Sequence, residues 1–179
     1  MISSTLSPQL AVKADIPDLM PQLARLLLSC VEGGASVNFV LPLTYEEALT
    51  FCRRTMEGPA LEGDKLIFTV YEDDRLAGSV QLVPATQPNQ PHRADVSKLL
   101  VHPDFRRKGY ARSLMQALEA HALSLGLTLL TLDTETGSSA EPLYHSLGFI
   151  TAGMIPGFCL DTRDPSKLKS TTLMYKQLA

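Results

Sequence analysis

The chain has no tryptophan, 6% aromatic residues and only three cysteines among 179 residues. Cys30, Cys52 and Cys159 are odd in number and far apart, so they offer neither a disulfide framework nor a zinc-ligand spacing. A reducing cytoplasm is the compartment that usage fits. No charge of one sign dominates: 16 Lys and Arg stand against 19 Asp and Glu, a net charge of −3. That balance argues against wholesale nucleic-acid binding, which needs a basic face. No apolar run approaches the ~20 residues that span a bilayer, so no membrane partner is expected. Met1 to Thr5 carries no basic segment ahead of an apolar core, and no secretory leader is expected there. No repeat, low-complexity tract or linker divides the sequence. With 45% hydrophobic residues, one domain over residues 1–179 with a substantial core is expected.

Against this level background, Arg106-Arg107-Lys108-Gly109-Tyr110-Ala111-Arg112 concentrates four cations. The apolar run Leu99-Leu100-Val101 precedes it and ends at His102-Pro103. A long amphipathic pattern follows at once, with Leu114, Leu118, Ala122 and Leu125 as its inner stripe and Gly126 as its stop. The layout is strand, cationic turn, helix N-terminus. Amides at a helix start have no internal partner and lie at the positive end of the helix dipole, so this is the layout of a phosphate cradle. One glycine is too few for a dinucleotide fingerprint or a Walker A loop. A solvated charge run is the plainer alternative. The flanking strand and helix, with Gly109 where backbone must approach a ligand closely, favour an anion site.

The flanks give the order of elements. Gln9 to Lys13 predicts an edge strand, Asp15 a capping acid, and Leu19 to Val31 a helix stopped by Gly33-Gly34. Ala35 to Leu43 predicts a loop whose Val37, Phe39 and Val40 either anchor on the core or wall a pocket. Thr44-Tyr45-Glu46-Glu47 is a capping box, opening a helix expected to end at Gly58-Pro59. Lys65 to Glu72 and Arg75 to Val83 predict a hairpin around Asp73-Asp74. Asp95 to Val101 and the near-continuous apolar run Leu127 to Asp133 predict parallel strands joined by the amphipathic helix. Gly137 to Leu147 predicts a short helix, Phe149 to Met154 and Thr171 to Leu178 two last strands, and Pro156 to Lys169 a long polar loop. A ligand at Arg106 to Ala111 then lies at the carboxyl end of a parallel strand, where open α/β sheets place their sites.

Val101-His102-Pro103 with Arg106-x-x-Gly109-x-Ala111 resembles the acetyl-CoA pyrophosphate loop of the GNAT superfamily of N-acetyltransferases. Leu143-Tyr144-His145-Ser146-Leu147-Gly148-Phe149 is similar to that superfamily's late helix ending in Tyr-x-x-x-Gly-Phe. Gly33 to Val37, Arg93-Ala94-Asp95-Val96-x-Lys98-Leu99 and Leu132-Asp133-Thr134-Glu135-x-Gly137-Ser138 resemble the tabtoxin-resistance type, which acetylates a β-lactam-bearing amino acid toxin. The chain departs from that type in carrying Asp95 where it has glutamate, and in the Asp161 to Lys169 segment. The resemblance implies an α/β fold (α+β by some schemes), with a mixed central sheet of about seven strands flanked by about four helices. It also implies antibiotic or toxin resistance as a role.

The resemblance implies acetyl-CoA as co-substrate and a small-molecule primary amine as acceptor, in direct attack within a ternary complex. Backbone of Leu99, Leu100 and Val101 is expected to bind the pantetheine arm, one N–H polarising the thioester carbonyl. The amides of Arg107, Lys108, Gly109, Tyr110 and Ala111 are expected on the pyrophosphate, with Arg106, Arg107, Lys108 and Arg112 supplying charge. Tyr144 matches the tyrosine that protonates the departing thiolate; the plainer alternative is a half-buried core tyrosine. An ammonium acceptor must give up a proton, and Asp95 and Asp133 are the candidates, as base or as binders of the ammonium. A strand-end aspartate capping the turn Thr134 to Gly137 is the alternative for Asp133. Phe39 and Phe158 are expected to line the acceptor pocket. No histidine pair has metal-ligand spacing with a third ligand, so no metal is expected, and the cysteines suit small core positions. Acetylation of a protein N-terminus or lysine, and a non-catalytic acyl-CoA-binding module, remain rival functions. Oligomeric state is not encoded in these patterns; a homodimer stands as one option.

Overall fold

The computed structural model describes residues 7–179, so the start read for a leader lies outside the described residues. Seven strands, β1 (Gln9–Leu10), β2 (Leu66–Glu72), β3 (Arg75–Pro84), β4 (Arg93–Val101), β5 (Leu129–Glu135), β6 (Ile150–Leu160) and β7 (Leu168–Gln177), form one sheet. Its order is β1-β2-β3-β4-β5-β7-β6, mixed because β4 and β5 run parallel and every other pair is antiparallel. The helices are α1 (Ile16–Glu32), α2 (Tyr45–Cys52), α3 (Gly58–Glu62), α4 (Tyr110–Ser124) and α5 (Glu141–Ser146). This is the α/β arrangement expected, with seven strands in the sheet.

Local chemistry sets several boundaries. The capping box at Thr44 is formed, with the Glu47 amide donating to the Thr44 hydroxyl and the Glu47 carboxylate accepting from the Thr44 amide. Asp73 and Asp74 both have positive φ, +47° and +61°, which gives a two-residue hairpin turn whose twist matches the strands. Asp15 occupies the N-cap of α1, but its side chain makes no capping bond because its backbone is already helical (φ −93°, ψ −7°).

Leu125, read as part of the inner stripe of α4, is 51% exposed, and two expectations about element boundaries also fail. The helix that opens at Thr44 does not end at Gly58-Pro59. A π-helical turn, Arg53–Glu57, carries it into α3, where Pro59 sits at a first-turn position that needs no N–H donor. Half of Pro156 to Lys169 is strand rather than loop, because β6 runs to Leu160 and β7 begins at Leu168. β6 is the outermost strand, where a proline costs no central ladder bond.

The two faces of the sheet carry separate cores. α4 packs Leu114, Met115, Leu118 and Ala122 with Val80, Leu82, Leu130, Leu132, Tyr144 and Phe149 on one face. α1 and α2 bury Leu23, Leu27, Cys30, Ala48 and Cys52 with Ile67 and Leu100 on the other. Gly78 lets β3 approach β4 closely; a Cβ there would lie 2.8 Å from the Leu100 carbonyl oxygen.

β4 and β5 pair at only three positions, Arg93↔Leu129, Ala94↔Leu130 and Asp95↔Thr131. Beyond them β4 continues against β3 and β5 against β7, so the sheet splits down its middle. Cys30 and Cys52 are 1% and 0% exposed, and burial pushes both thiols up to about 11. In the native protein a thiol-reactive disulfide probe therefore labels Cys159 alone, and Cys30 and Cys52 react only on unfolding; three fast-reacting thiols in the folded state contradict this packing.

Candidate active site

The split exposes the end of β4, and the chain turns there through Pro103–Phe105, a 3-10 turn anchored by buried Phe105. Arg107 (φ +64°) and Gly109 (φ +89°) both adopt the left-handed conformation just before α4. Alternation of that kind gathers successive amides on one concave side, an anion-binding nest. Among the described residues the amides of 107, 108 and 109 meet no backbone acceptor, and the first bond of α4 is from the Ser113 amide to the Gly109 carbonyl, 3.0 Å. Space is open over Gly109, where a Cβ would find no atom within 4 Å. Unpaired amides, helix start and open approach fit a pyrophosphate.

The four cations of this turn are unequally free. Arg106 turns back: its Nε donates to the Val101 carbonyl at 3.3 Å, and its guanidinium lies against Gly33 at the C-terminus of α1, the negative end of that helix. Lys108 pairs with Glu72 at 2.7 Å and lies 5.1 Å from the centre of the Phe105 ring. Arg112 donates to Ser146 at 2.7 Å. Arg107 has no carboxylate within ion-pair distance among the described residues. The Tyr110 hydroxyl also donates to Glu72, and that bond pushes the phenol up to about 12. Glu72 lies on β2, far away in sequence, and nothing in its local pattern announces this role.

Tyr144, on α5, is buried with its ring 5.7 Å from Phe149. Burial raises its pKa first and the Asp133 charge second, so the hydroxyl keeps its proton through neutral pH. Asp133 stands on β5 beyond the last parallel pair, and its Oδ2 accepts from the Thr171 hydroxyl at 3.1 Å. Asp95 is the last β4 residue paired to β5. Arg93 holds its carboxylate at 2.8 Å and the Thr131 hydroxyl donates to it as well. Asp133 lies two residues beyond Thr131, on the same strand face and about 7 Å further along. The fold therefore gathers Tyr144, Asp133 and Asp95 at the split, with Asp133 the least engaged of the two acids.

Phe39 packs edge-on against Phe51, ring centres 4.9 Å apart, and joins the α1–α2 core. Phe158 is 54% exposed on β6 and is not among the ring partners of Phe39. The α1–α2 loop is held by the β6–β7 hairpin tip instead. The Leu41 amide donates to the Thr162 carbonyl at 2.8 Å, the Thr162 hydroxyl to the Ala35 carbonyl at 3.3 Å, and Arg163 to the Glu32 carbonyl at 3.3 Å. Between loop and tip lies a cavity of about 220 Å³, lined by Gly33, Gly34, Glu135, Asp161, Arg163 and Lys169 among others. Lys98, not singled out from the sequence, points into this side of the sheet: its Nζ donates to the Val37 carbonyl at 3.3 Å.

A split parallel pair with an anion nest at its mouth is the arrangement that the sequence resemblance implies for an acyl-CoA-dependent transferase. Residues 37–149 match the family model described as the acetyltransferase (GNAT) family. Solved structures share the fold. One is yncA from Salmonella typhimurium with its cofactor acetyl-CoA (21% identity, TM-score 0.75, covering 98% of this chain and 95% of that one). Another is a ribosomal-protein-alanine N-acetyltransferase from Brucella melitensis (20%, 0.71, 96% and 99%). A third is a protein provisionally named a phosphinothricin N-acetyltransferase (17%, 0.75, 97% and 98%). The chain belongs to the GNAT family and is an acetyl-CoA-dependent N-acetyltransferase.

Because the Tyr144 pKa lies above its ordinary value of 10.0, its contribution to stability is complete below pH 10 and is lost as pH rises beyond it. Ultraviolet titration of the protein against Tyr144→Phe is expected to show one phenol ionising well above pH 10. The stability advantage of wild type over the variant shrinks over the same range. A missing ionisation with a midpoint near 10 contradicts the burial.

Proposed function

We propose that this acetyltransferase acts on a primary amine of a small molecule, by direct attack in a ternary complex. The observation that carries this is the clamp of the β6–β7 tip on the α1–α2 loop, with a small charged cavity between them. A toxin-like or antibiotic-like amino acid is the acceptor class that the sequence resemblance adds. The whole chain acts as one domain, in the cytoplasm, as cysteine usage suggests; among the described residues no helix is long and apolar enough to cross a membrane.

On this reading the nest at 107–112 holds the pyrophosphate, with Arg107 and Lys108 as the nearest side-chain charges. Leu99 to Val101 bind the pantetheine arm through the β4 edge that β5 leaves unpaired. Acetyl-CoA supplies an activated acyl carbon, to which the amine nitrogen bonds as the C–S bond breaks. Asp133 accepts the proton that the ammonium loses, and Tyr144 delivers a proton to the departing sulfur. Asp95, already held by Arg93 and Thr131, positions the fork where the strands part. Arg106 and Arg112 brace the loop through Val101 and Ser146.

Thiol release from acetyl-CoA across amines, amino acids and peptides is expected to favour small amines; preference for peptides contradicts the reading. Tyr144→Phe is expected to leave acetyl-CoA affinity near wild type and to lower kcat by about 10²-fold or more. Asp133→Asn removes the acidic limb of the pH–rate profile, whereas Asp95→Asn retains it. Gly109→Val, which forces a branched side chain into φ +89°, weakens acetyl-CoA binding by about tenfold or more. Unchanged turnover in Tyr144→Phe removes the acid from the scheme.

A second copy of the chain is the partner assigned to the free sheet edge. β6 presents Ile150, Met154, Ile155 and Phe158 to solvent along a strand whose outer edge is free, a surface that isologous strand pairing would bury. Sedimentation is expected to show a dimer that Ile155→Lys dissociates; a wild-type monomer at micromolar concentration contradicts it.

A further inference from the structure

Lys98 is a half-buried cation that forms no ion pair among the described residues. It lies within β4, yet its backbone has φ +51°, a conformation that persists in a non-glycine residue only where the surroundings impose it. The register supplies the cause. Ser79 faces Leu100 and Gln81 faces Ser97, so Lys98 and Leu99 together oppose the single residue Val80. This bulge aims the Lys98 side chain at the α1–α2 loop. There its Nζ donates to the Val37 carbonyl and lies 5.6 Å from the centre of the Phe51 ring.

An ammonium has three donors, and this one has a single hydrogen-bond partner among the described residues. Among the described residues no carboxylate lies within ion-pair distance of it. Three other cations on this side of the sheet are engaged. Lys169 is shared by Glu135 at 3.1 Å and Asp161 at 3.3 Å, and Lys65 donates to the Thr55 carbonyl at 2.8 Å. Arg163 is packed on Gly34 and bonded to the Glu32 carbonyl. Burial lowers the Lys98 pKa, and the Asp133 charge acts against that shift. Lys98 on β4 and Asp133 on β5 thus present opposite charges from the two lips of the split.

We propose that Lys98 binds an anionic group of the acceptor, so that the acceptor is a small zwitterion carrying a carboxylate close to its reacting amine. This deepens the acetyl-transfer reading and rests on it. A zwitterion placed between the lips answers both charges at once: its carboxylate takes the free donors of Lys98, and its ammonium faces Asp133. That arrangement fixes which end of the molecule reaches the acyl carbon. A plain amine leaves a desolvated ammonium unanswered, so it binds less well even when its amine is equally nucleophilic.

The test uses the full chain with matched acceptors: small amino acids, their methyl esters and their decarboxylated amines. Initial rates of thiol release are expected to give a kcat/KM about tenfold or more higher for the free acids, expressed mainly in KM. Lys98→Met is expected to lower kcat/KM for the acids far more than for the esters and amines, and Lys98→Arg to restore most of the preference. Thermal melting and acetyl-CoA titration show whether Lys98→Met is folded. If it is not, Lys98→Asn, which tolerates the left-handed backbone, carries the comparison. Equal rates for acids, esters and amines, or a preference that survives loss of the Lys98 charge, overturns the proposal while leaving acetyl transfer standing. Silence toward every amine, with acetyl-CoA still bound, overturns the acetyl-transfer reading and this proposal with it.

Discussion

The constraint on which the rest depends is the brevity of the β4–β5 ladder, three residue pairs followed by divergence. Each strand keeps its outer neighbour, β3 for β4 and β7 for β5, so the sheet survives being split. The inner edges that separate are left with backbone donors and acceptors for a ligand to use, in the manner of an added strand. The split is held open from both faces. α4 and Tyr144 share one core with strands from both halves of the sheet, while α1 and α2 fix β4 from the other side through Leu100.

The electrostatic layout follows from that opening. At the mouth, the left-handed Arg107 and Gly109 leave a run of amides to a ligand, while Glu72 tempers the charge of Lys108. At the lips, the two aspartates differ in what they already hold. Asp95 is taken up by Arg93 and Thr131, and Asp133 has the Thr171 hydroxyl. Tyr144 stays protonated because its surroundings are apolar and its nearest named charge is negative. In the proposed reaction Tyr144 is the donor that returns a proton to sulfur and Asp133 the acceptor that takes one from nitrogen.

Much of this was legible in the sequence wherever the signal is local. The capping box at Thr44, the hairpin at Asp73-Asp74 and the turn from Arg106 to Ala111 each depend on a few adjacent residues, and each formed. Chain-distant relations were not legible. The fold-back of Arg106 depends on the end of α1, and the pairing of Lys108 depends on Glu72, thirty-six residues away. Lys98, quoted only within the Arg93 to Leu99 resemblance, was given no site role because a bulge is a property of register between β3 and β4, not of composition. Pro156 to Lys169 read as loop because its two prolines and Gly157 weaken a strand pattern that survives in part on the sheet edge, where one side needs no partner. Gly58-Pro59 read as a stop because a π turn, which lets the helix run on, has no simple sequence mark.

The central claim is that the parted β4 edge and the nest at 107–112 form one continuous binding track. Hydrogen exchange of the protein with and without acetyl-CoA tests it directly. The account predicts slowed exchange at the amides of residues 99–101 and 107–112 together, with the exposed β6 edge unchanged. Protection confined to another part of the sheet, or protection of the nest without any on β4, would contradict it.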